Sequence, residues 1–209
     1  MIKLVIFDFD GVFADSFETV YNAYNHMLQT IGMKEFQSIE LFKDAYSVDW
    51  RNNYKSIGIP EKFTEQASEL IKEYFIENAD DIRLFDNMIN TAMNIDCKKA
   101  IATSGHKKYV RKKLENTGFL EEISVIIDAD DITNLKPHPE PLLKCMEYLD
   151  IGPKETMYVG DTVIDIIAGR NANVAKVIAV PWGFDDEQEL KNAGPDGILK
   201  IPDDLRKYL

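Results

Sequence analysis

Five short, almost wholly apolar segments constrain the fold of this chain more than any other feature. They span residues 2–7, 100–102, 125–127, 157–159 and 177–180. Stretches with helical spacing, such as 109–116 and 141–149, separate them. A continuous apolar run is typical of a strand that is covered on both faces, as in a parallel sheet between layers of helices. The alternation therefore predicts βαβ units and an α/β protein with a Rossmann-like, doubly wound parallel sheet.

The interval from residue 15 to residue 84 departs from that alternation. It lacks a comparable apolar strand and carries apolar residues three and four positions apart, which is typical of amphipathic helices. The clearest examples are Val20, Tyr24, Met27, Leu28 and Ile31, followed by Phe63, Ala67, Leu70, Ile71, Tyr74 and Phe75. We therefore predict that residues 1–14 and 85–209 form the Rossmann-like core and that residues 15–84 form an inserted helical cap.

The charge of the chain limits its partners. Asp and Glu number 36 against 24 Lys and Arg, and the formal net charge is −12, which argues against binding that depends on neutralising nucleic acid or an anionic membrane. No apolar run approaches the roughly 20 residues of a membrane span. Two cysteines in 209 residues do not make a disulfide scaffold. We expect a cytoplasmic protein that binds neither nucleic acid nor membrane.

Polar residues follow four of the predicted strands. In open α/β sheets, ligands bind outside the carboxyl ends of the strands. That rule selects Asp8 and Asp10 after the first strand, Thr103 and Ser104 after the second, Lys136 beyond the third and Asp161 after the fourth. We therefore expect these side chains to meet at one edge of the sheet.

The acidic residues at that edge have the chemistry of a magnesium site. Oxygen ligands from Asp8, Asp10 and Asp161 suit Mg²⁺, whereas the three histidines of the chain lack the spacing of zinc ligands. Asp161 and Asp165 would share one face of a helix if a helix begins there. The alternative is structural, because Asp-x-Asp-Gly is also a common turn and because Asp161 or Thr162 could cap that helix.

Two further stretches could bind an anion. Lys136 is followed by prolines at 137, 139 and 141, which stiffen its loop and would hold an ammonium at a fixed point. Otherwise Lys136 is a solvated surface charge, and as an exposed lysine it should contribute little to stability. Thr103 and Ser104 offer hydroxyls and free backbone N–H groups at a predicted helix N-terminus, which is a natural anion site. Helix capping by these residues is the alternative.

Taken together and in this order, these motifs resemble those of the haloacid dehalogenase superfamily, and within it the branch similar to phosphoglycolate phosphatases, which carries a helical cap. The likeness covers nearly the whole chain. Its motifs are Asp8-Phe9-Asp10-Gly11-Val12, Thr103 at a strand end, Lys136 in Lys-Pro-x-Pro, and Gly160-Asp161-x-x-x-Asp165.

The resemblance implies a chemical role for each motif. Asp8 would attack phosphorus and become an aspartyl phosphate, while Asp10 would protonate the leaving oxygen and then activate water. The Asp8 carboxylate, the Asp10 backbone carbonyl and Asp161 would hold Mg²⁺, with Asp165 in its outer shell. Lys136 and Thr103 would hold the phosphoryl oxygens. The chain is thus expected to be a phosphatase that acts on a small phosphorylated metabolite, and covalent help of this kind suits the slow hydrolysis of phosphate monoesters.

Other functions remain open at this point. A phosphomutase of the same branch needs the same Asp8 and Asp10, whereas a dehalogenase has no leaving alkoxide for Asp10 to protonate. A receiver module also has an acidic pocket, but its accepting Asp follows a middle strand. A catalytically silent regulator could keep the fold. Trp50, Arg51 and Lys55 are candidates for reading the leaving group, although a surface face is the simpler interpretation. The sequence names neither the substrate nor the oligomeric state.

Overall fold

A computed structural model describes residues 1–46 and 53–209 in full and, of residues 50–52, the backbone alone. Its main sheet has six strands in the order β5-β4-β1-β6-β7-β8, and all the neighbouring pairs are parallel. The strands are β1 Leu4–Phe7, β4 Lys98–Ala102, β5 Ile123–Ile127, β6 Thr156–Gly160, β7 Lys176–Ala179 and β8 Gly197–Ile198. All five predicted strands are present, and the sixth strand of this sheet, the two-residue β8, had no sequence signal.

Helices cover both faces of the sheet. Along β1, Val5 and Phe7 join one hydrophobic cluster, whereas Leu4 and Ile6 join the other. The predicted doubly wound α/β fold is therefore confirmed. The helices are α1 Phe17–Thr30, α2 Ile39–Ala45, α3 Trp50–Ser56, α4 Thr64–Glu77, α5 Asp86–Met93, α6 Lys107–Leu114, α7 Glu140–Leu149, α8 Val163–Asn171 and α9 Glu187–Ala193.

Helices α1 to α4 lie between two very short strands, β2 Ala14–Asp15 and β3 Arg83–Leu84, which pair antiparallel. They bury a third hydrophobic cluster of their own, centred on Tyr24, Met27 and Phe42. The chain thus enters and leaves the inserted helices through the paired strands β2 and β3, which mark the beginning and the end of the proposed cap. The predicted helices at 20–31 and 63–75 correspond to α1 and α4.

The sheet order decides which loops are neighbours. Strand β1 lies between β4 and β6, with Phe7 in register with Ile101 on one side and Val159 on the other. The residues that follow these strands therefore emerge side by side at one edge. Within the part of the chain that the structure describes, no helix combines the length and apolarity needed to cross a membrane.

Candidate active site

The first strand ends in a tight turn that carries two carboxylates. The Asp8 backbone N–H donates to the Val159 carbonyl of β6 at 2.9 Å, so the sheet fixes its position. Asp8 Oδ1 accepts from the Phe9 N–H at 2.8 Å. Gly11 has a φ of 74°, a left-handed conformation that glycine adopts without strain. The turn leaves Asp8 and Asp10 lining the same cleft.

The Asp10 carboxylate is oriented by two hydroxyl groups. Its Oδ1 accepts from the Ser16 hydroxyl at 2.6 Å and from the Tyr109 hydroxyl at 3.2 Å. Burial raises the pKa of Asp10, and these two hydrogen bonds only partly oppose that effect. A raised pKa suits a carboxyl group that must donate a proton at neutral pH.

Lys136 is buried, with 2% of its surface exposed. Its Nζ lies 3.0 Å from Asp8 Oδ2 and 2.7 Å from Asp165 Oδ1, and it donates to the Tyr158 hydroxyl at 3.2 Å. Burial lowers the pKa of Lys136, but the two carboxylates outweigh it and keep the ammonium charged. The expectation of an exposed lysine is therefore wrong, because a buried ammonium requires paired partners and the fold supplies two.

Asp161 and Asp165 do not share a helix face. Helix α8 begins at Val163 with Thr162 as its N-cap, so Asp161 precedes the helix and the predicted pairing on one face is wrong. Thr162 and Asp165 form a reciprocal capping box, so helix capping accounts for Thr162 and for part of the role of Asp165. Asp165 also accepts from Lys136. Burial raises the pKa of Asp165, but the charge of Lys136 together with the hydrogen bonds from Lys136, Thr162 and Tyr158 outweighs burial and lowers that pKa.

Three carboxylates are placed as a metal site would require. Asp8, Asp161 and Asp165 each offer an oxygen within 4.8 Å of the others. Asp161 Oδ1 is buried and has no hydrogen-bond partner among the described residues, which is a costly arrangement unless a cation occupies that position. Burial, followed by the neighbouring carboxylates, raises the pKa of Asp161, and burial raises that of Asp8 to about 7. Mg²⁺ fits this donor set, because it would stabilise both ionised forms.

A second group of possible ligands has less need of a cation. His106, Asp128 and Asp130 also bring one atom each within 4.8 Å of the others. The two oxygens of Asp128, however, already accept from the backbone N–H groups of Lys107 and Asp130, at 2.8 and 3.2 Å. The Lys107 ammonium lies 3.6 Å from the same carboxylate. The buried Asp128 therefore orders the loops beyond β4 and β5, a role that its sequence position did not reveal.

Thr103 lies at the carboxyl end of β4, and its backbone N–H donates to the Ile127 carbonyl at 3.0 Å. Its hydroxyl oxygen accepts from the Gly105 N–H at 2.9 Å, which leaves the hydroxyl proton available to a ligand. Ser104 follows and also lines the cleft. Helix α6 begins only at Lys107, so the predicted helix N-terminus at Thr103 and Ser104 is wrong, as is the alternative that they cap it.

A cleft that is partly open to solvent joins these groups to helices α1, α3 and α4. Ring contacts close one side of it, because Phe184 of the loop after β7 lies 5.0 Å from Phe17 and 6.3 Å from Tyr46 between ring centroids. The sequence did not single out Tyr46 or Phe184. Lys55 is exposed and does not line the cleft, and the side chains of Trp50 and Arg51 lie outside the described residues.

Comparison with known proteins agrees with this geometry. The family model for haloacid dehalogenase-like hydrolases matches residues 5–180. The chain belongs to the haloacid dehalogenase-like hydrolase family. A pyrophosphatase PpaX from Oceanobacillus iheyensis is 30% identical, over 98% of this chain and 95% of its own. The predicted family is confirmed, and with it the prediction that the chain is a hydrolase.

Solved structures share the fold of this haloacid dehalogenase-like hydrolase. A candidate phosphoglycolate phosphatase from Lactobacillus plantarum superposes with a TM-score of 0.88 at 21% identity, over 100% of both chains. CbbY from Rhodobacter sphaeroides, solved in complex with phosphate, superposes with a TM-score of 0.81 at 21% identity, over 98% of this chain and 96% of its own. The whole chain, including the inserted helices, therefore has counterparts of the same architecture.

Proposed function

We propose that this hydrolase is a Mg²⁺-dependent phosphatase that hydrolyses a small phosphorylated metabolite through an aspartyl phosphate on Asp8. One observation carries the proposal: Asp8, Asp10, Thr103 and Asp161, from three strand ends, line a single cleft beneath the inserted helices. The Lys136 ammonium contacts Asp8 at the floor of this cleft. Relatives named as pyrophosphatases and a structural neighbour that binds phosphate support a phosphoryl substrate.

Each residue has a task that suits its surroundings. Asp8 attacks phosphorus, while Lys136 orients its carboxylate and offsets the charge of the phosphoryl oxygens, to which the Thr103 hydroxyl donates a hydrogen bond. Asp10 is held by two hydroxyls at the cleft, so it protonates the leaving oxygen and then takes a proton from the water that hydrolyses the aspartyl phosphate. Closure of the inserted helices over the cleft would exclude bulk water during the reaction.

The Asp8 carboxylate, the Asp10 backbone carbonyl and Asp161 would hold Mg²⁺. When bound, the ion offsets negative charge on the phosphoryl group and the carboxylates. Asp165 supports the site from outside, since Lys136, Tyr158 and the residues at the start of α8 already occupy its oxygens.

The direct test is release of inorganic phosphate from p-nitrophenyl phosphate during a Mg²⁺ titration, with excess chelator as the control. We expect turnover that depends on Mg²⁺ and stops when the ion is removed. Acid-quenched samples should contain protein that carries one phosphoryl group. If no phosphate is released at any Mg²⁺ concentration, the proposal fails. If a bound phosphoryl group moves between two positions of a sugar faster than it reaches water, the chain is a phosphomutase.

Replacing Asp10 with asparagine should separate proton transfer from metal binding. General acid and base catalysis is worth roughly 10²- to 10⁴-fold, so kcat should fall, and it should fall more for an alkyl phosphate than for p-nitrophenyl phosphate, whose phenolate leaves without protonation. The Mg²⁺ concentration for half-maximal rate should stay within about threefold, because the Asp10 backbone carbonyl is unchanged. Equal losses for both leaving groups, together with rescue by Mg²⁺, would contradict this division of roles.

Replacing Asp161 with asparagine should act on the metal instead. Its buried, unpartnered oxygen is the strongest candidate ligand. The Mg²⁺ concentration for half-maximal rate should therefore rise tenfold or more, which corresponds to a loss of about 1.4 kcal/mol in the free energy of Mg²⁺ binding. High Mg²⁺ should restore part of the activity, and the rise in melting temperature that Mg²⁺ causes should shrink. An unchanged Mg²⁺ dependence in both measurements would remove Asp161 from the site.

A further inference from the structure

The hydrophobic cluster that helices α1 to α4 bury includes one side chain from another part of the chain. That side chain is Phe184, in the loop of residues 180–186 between β7 and α9. All the other residues of the cluster that the structure describes lie between residues 15 and 84. The Phe184 ring meets those of Phe17 and Tyr46 edge to face, at 72° and 64° between the ring planes, a favourable arrangement for aromatic pairs. The loop after β7 is thus attached to the inserted helices.

The backbone of the same residue belongs to the candidate active site. The Phe184 N–H donates to Asp161 Oδ2 at 2.8 Å. The other oxygen of that carboxylate, Oδ1, is the buried one that has no partner among the described residues, and it is the proposed Mg²⁺ ligand. The two oxygens of Asp161 therefore have separate tasks, since Oδ1 would bind the ion while Oδ2 binds the loop. One carboxylate connects the proposed ion with the residue that packs against the inserted helices.

Hydrogen bonds on both sides of Phe184 fasten the loop to the core. The Trp182 indole N–H donates to the Val12 carbonyl, in the turn after β1, at 3.4 Å. Asp185 Oδ2 accepts from the Val163 N–H, at the start of α8, at 2.7 Å. A loop held at both ends has little freedom to move the Phe184 ring and the Phe184 N–H independently. Such a chain of packed and hydrogen-bonded groups can carry coupling between two sites.

We propose that Phe184 is a positioning residue that couples Mg²⁺ binding at Asp161 to the packing of the inserted helices over the cleft. The inference rests on the proposed function, because it takes Asp161 as a ligand of the ion. When the helices pack against the Phe184 ring, its N–H holds Asp161 with Oδ1 free for the ion, so less ordering is needed on binding. Coupling is reciprocal, so Mg²⁺ binding stabilises the packed helices by the same factor. The cleft then closes preferentially over a site that already holds its ion.

Hydrogen exchange and titration calorimetry on the full chain test the inference without measuring turnover. In the wild type, Mg²⁺ should slow exchange of the backbone N–H groups of α1 and α2 by about fivefold or more, the lower end of typical coupling between sites. Phe184→Leu keeps the backbone N–H and an apolar side chain but removes the ring. That slowing should therefore disappear, and the Kd for Mg²⁺ should rise by about the same factor. Phe184→Tyr keeps the ring and should behave as the wild type.

Two further variants separate coupling from a general loosening of the fold. Phe17→Leu removes the same ring contact from the helix side, so it should reproduce the effect of Phe184→Leu even if that variant folds poorly. The double variant should bind Mg²⁺ no more weakly than either single one. Lys112→Met removes a different contact between the inserted helices and the core, the 2.9 Å hydrogen bond from Lys112 Nζ to the Ile76 carbonyl. It should speed exchange in α4 and leave the Kd for Mg²⁺ within about twofold, since the contact involves neither Asp161 nor the loop.

The outcomes distinguish the inference from the proposed function. If Phe184→Leu and Phe17→Leu bind Mg²⁺ as tightly as the wild type, or if Mg²⁺ still slows exchange of α1 and α2 in both, the inference is wrong and the phosphatase function stands. An equal loss of Mg²⁺ affinity in Lys112→Met would also contradict it, because any loosening of the inserted helices would then have the same effect. If the wild type binds no Mg²⁺, the proposed metal site is wrong and the inference falls with it.

Discussion

Replacement of Asp8 with asparagine is expected to lower kcat by at least about a thousandfold, as is usual when a nucleophile is removed. The amide of asparagine cannot form a stable covalent bond with the phosphoryl group. In the wild-type chain, Asp8 Oδ2 lies 3.0 Å from Lys136 Nζ at the cleft floor. The fold should persist, because asparagine keeps the size of the side chain and removes one of three crowded carboxylates. Phosphate release and mass spectrometry of acid-quenched protein measure the effect.

The control for that variant is its melting temperature without metal, which should not fall. Asp161→Asn makes the same chemical change at the neighbouring carboxylate and should respond to Mg²⁺, whereas Asp8→Asn should not recover at any concentration. Retention of more than about a tenth of the wild-type rate, equivalent to a barrier change below about 1.4 kcal/mol, would show that Asp8 is not the nucleophile.

Replacement of Lys136 with methionine should damage stability as well as activity. Lys136 is the shared partner of Asp8 and Asp165, at 3.0 and 2.7 Å, so its loss leaves two buried carboxylates without their cation. Breaking a buried ion pair in this way costs about 3–5 kcal/mol. Urea unfolding monitored by circular dichroism should show that loss. The value of kcat/KM should fall by about a hundredfold or more, because the ammonium proposed to face the phosphoryl oxygens is gone.

A second change distinguishes the electrostatic cause from poor packing. Combining Lys136→Met with Asp165→Asn removes one of the two carboxylates that have lost their cation. Part of the stability should therefore return while activity stays low, and the stability changes of the two substitutions should be strongly non-additive. Lys107→Met is the matched control, because Lys107 pairs with Asp131 at 2.6 Å but is 39% exposed, and it should cost about 1 kcal/mol or less. An unchanged free energy of unfolding for Lys136→Met would contradict the claim that Lys136 stabilises the buried carboxylates of Asp8 and Asp165.

The sequence predicted the strands because each lies between two layers of helices and is apolar on both faces. The predicted segment at residues 2–7 contains β1, and the predicted segment at residues 177–180 overlaps β7 at residues 177–179. The same logic placed Asp8, Thr103 and Asp161 at one edge, since parallel strands present their carboxyl ends together. These predictions need only the local composition of the sequence and the rule that parallel strands end at the same edge of a sheet. A single sequence is therefore sufficient to make them.

The partners of the site residues could not be predicted in the same way. Ser16 and Tyr109 both bind Asp10, although 6 and 99 positions separate them from it. Tyr158 looked like any other apolar strand residue, yet its hydroxyl joins Lys136 to Asp165. The prolines that follow Lys136 indicated a stiff loop, but they did not indicate the two carboxylates that pair with its ammonium. Burial of a charge depends on tertiary neighbours, which local spacing does not encode.

Asp161 is wedged between two glycines that are distant in sequence. A β-carbon on Gly11 would lie 1.9 Å from an Asp161 oxygen, and one on Gly183 would lie 2.2 Å from the same atom. The Asp161 side chain has therefore lost its rotational freedom during folding, before any ligand arrives, and binding need not order it again. A carboxylate with one allowed orientation suits a small ion of strict geometry better than a large one that tolerates many arrangements. In the proposed Mg²⁺ site, the two glycines would thus preorganise Asp161 through the folded backbone and would favour a small divalent ion over a large one.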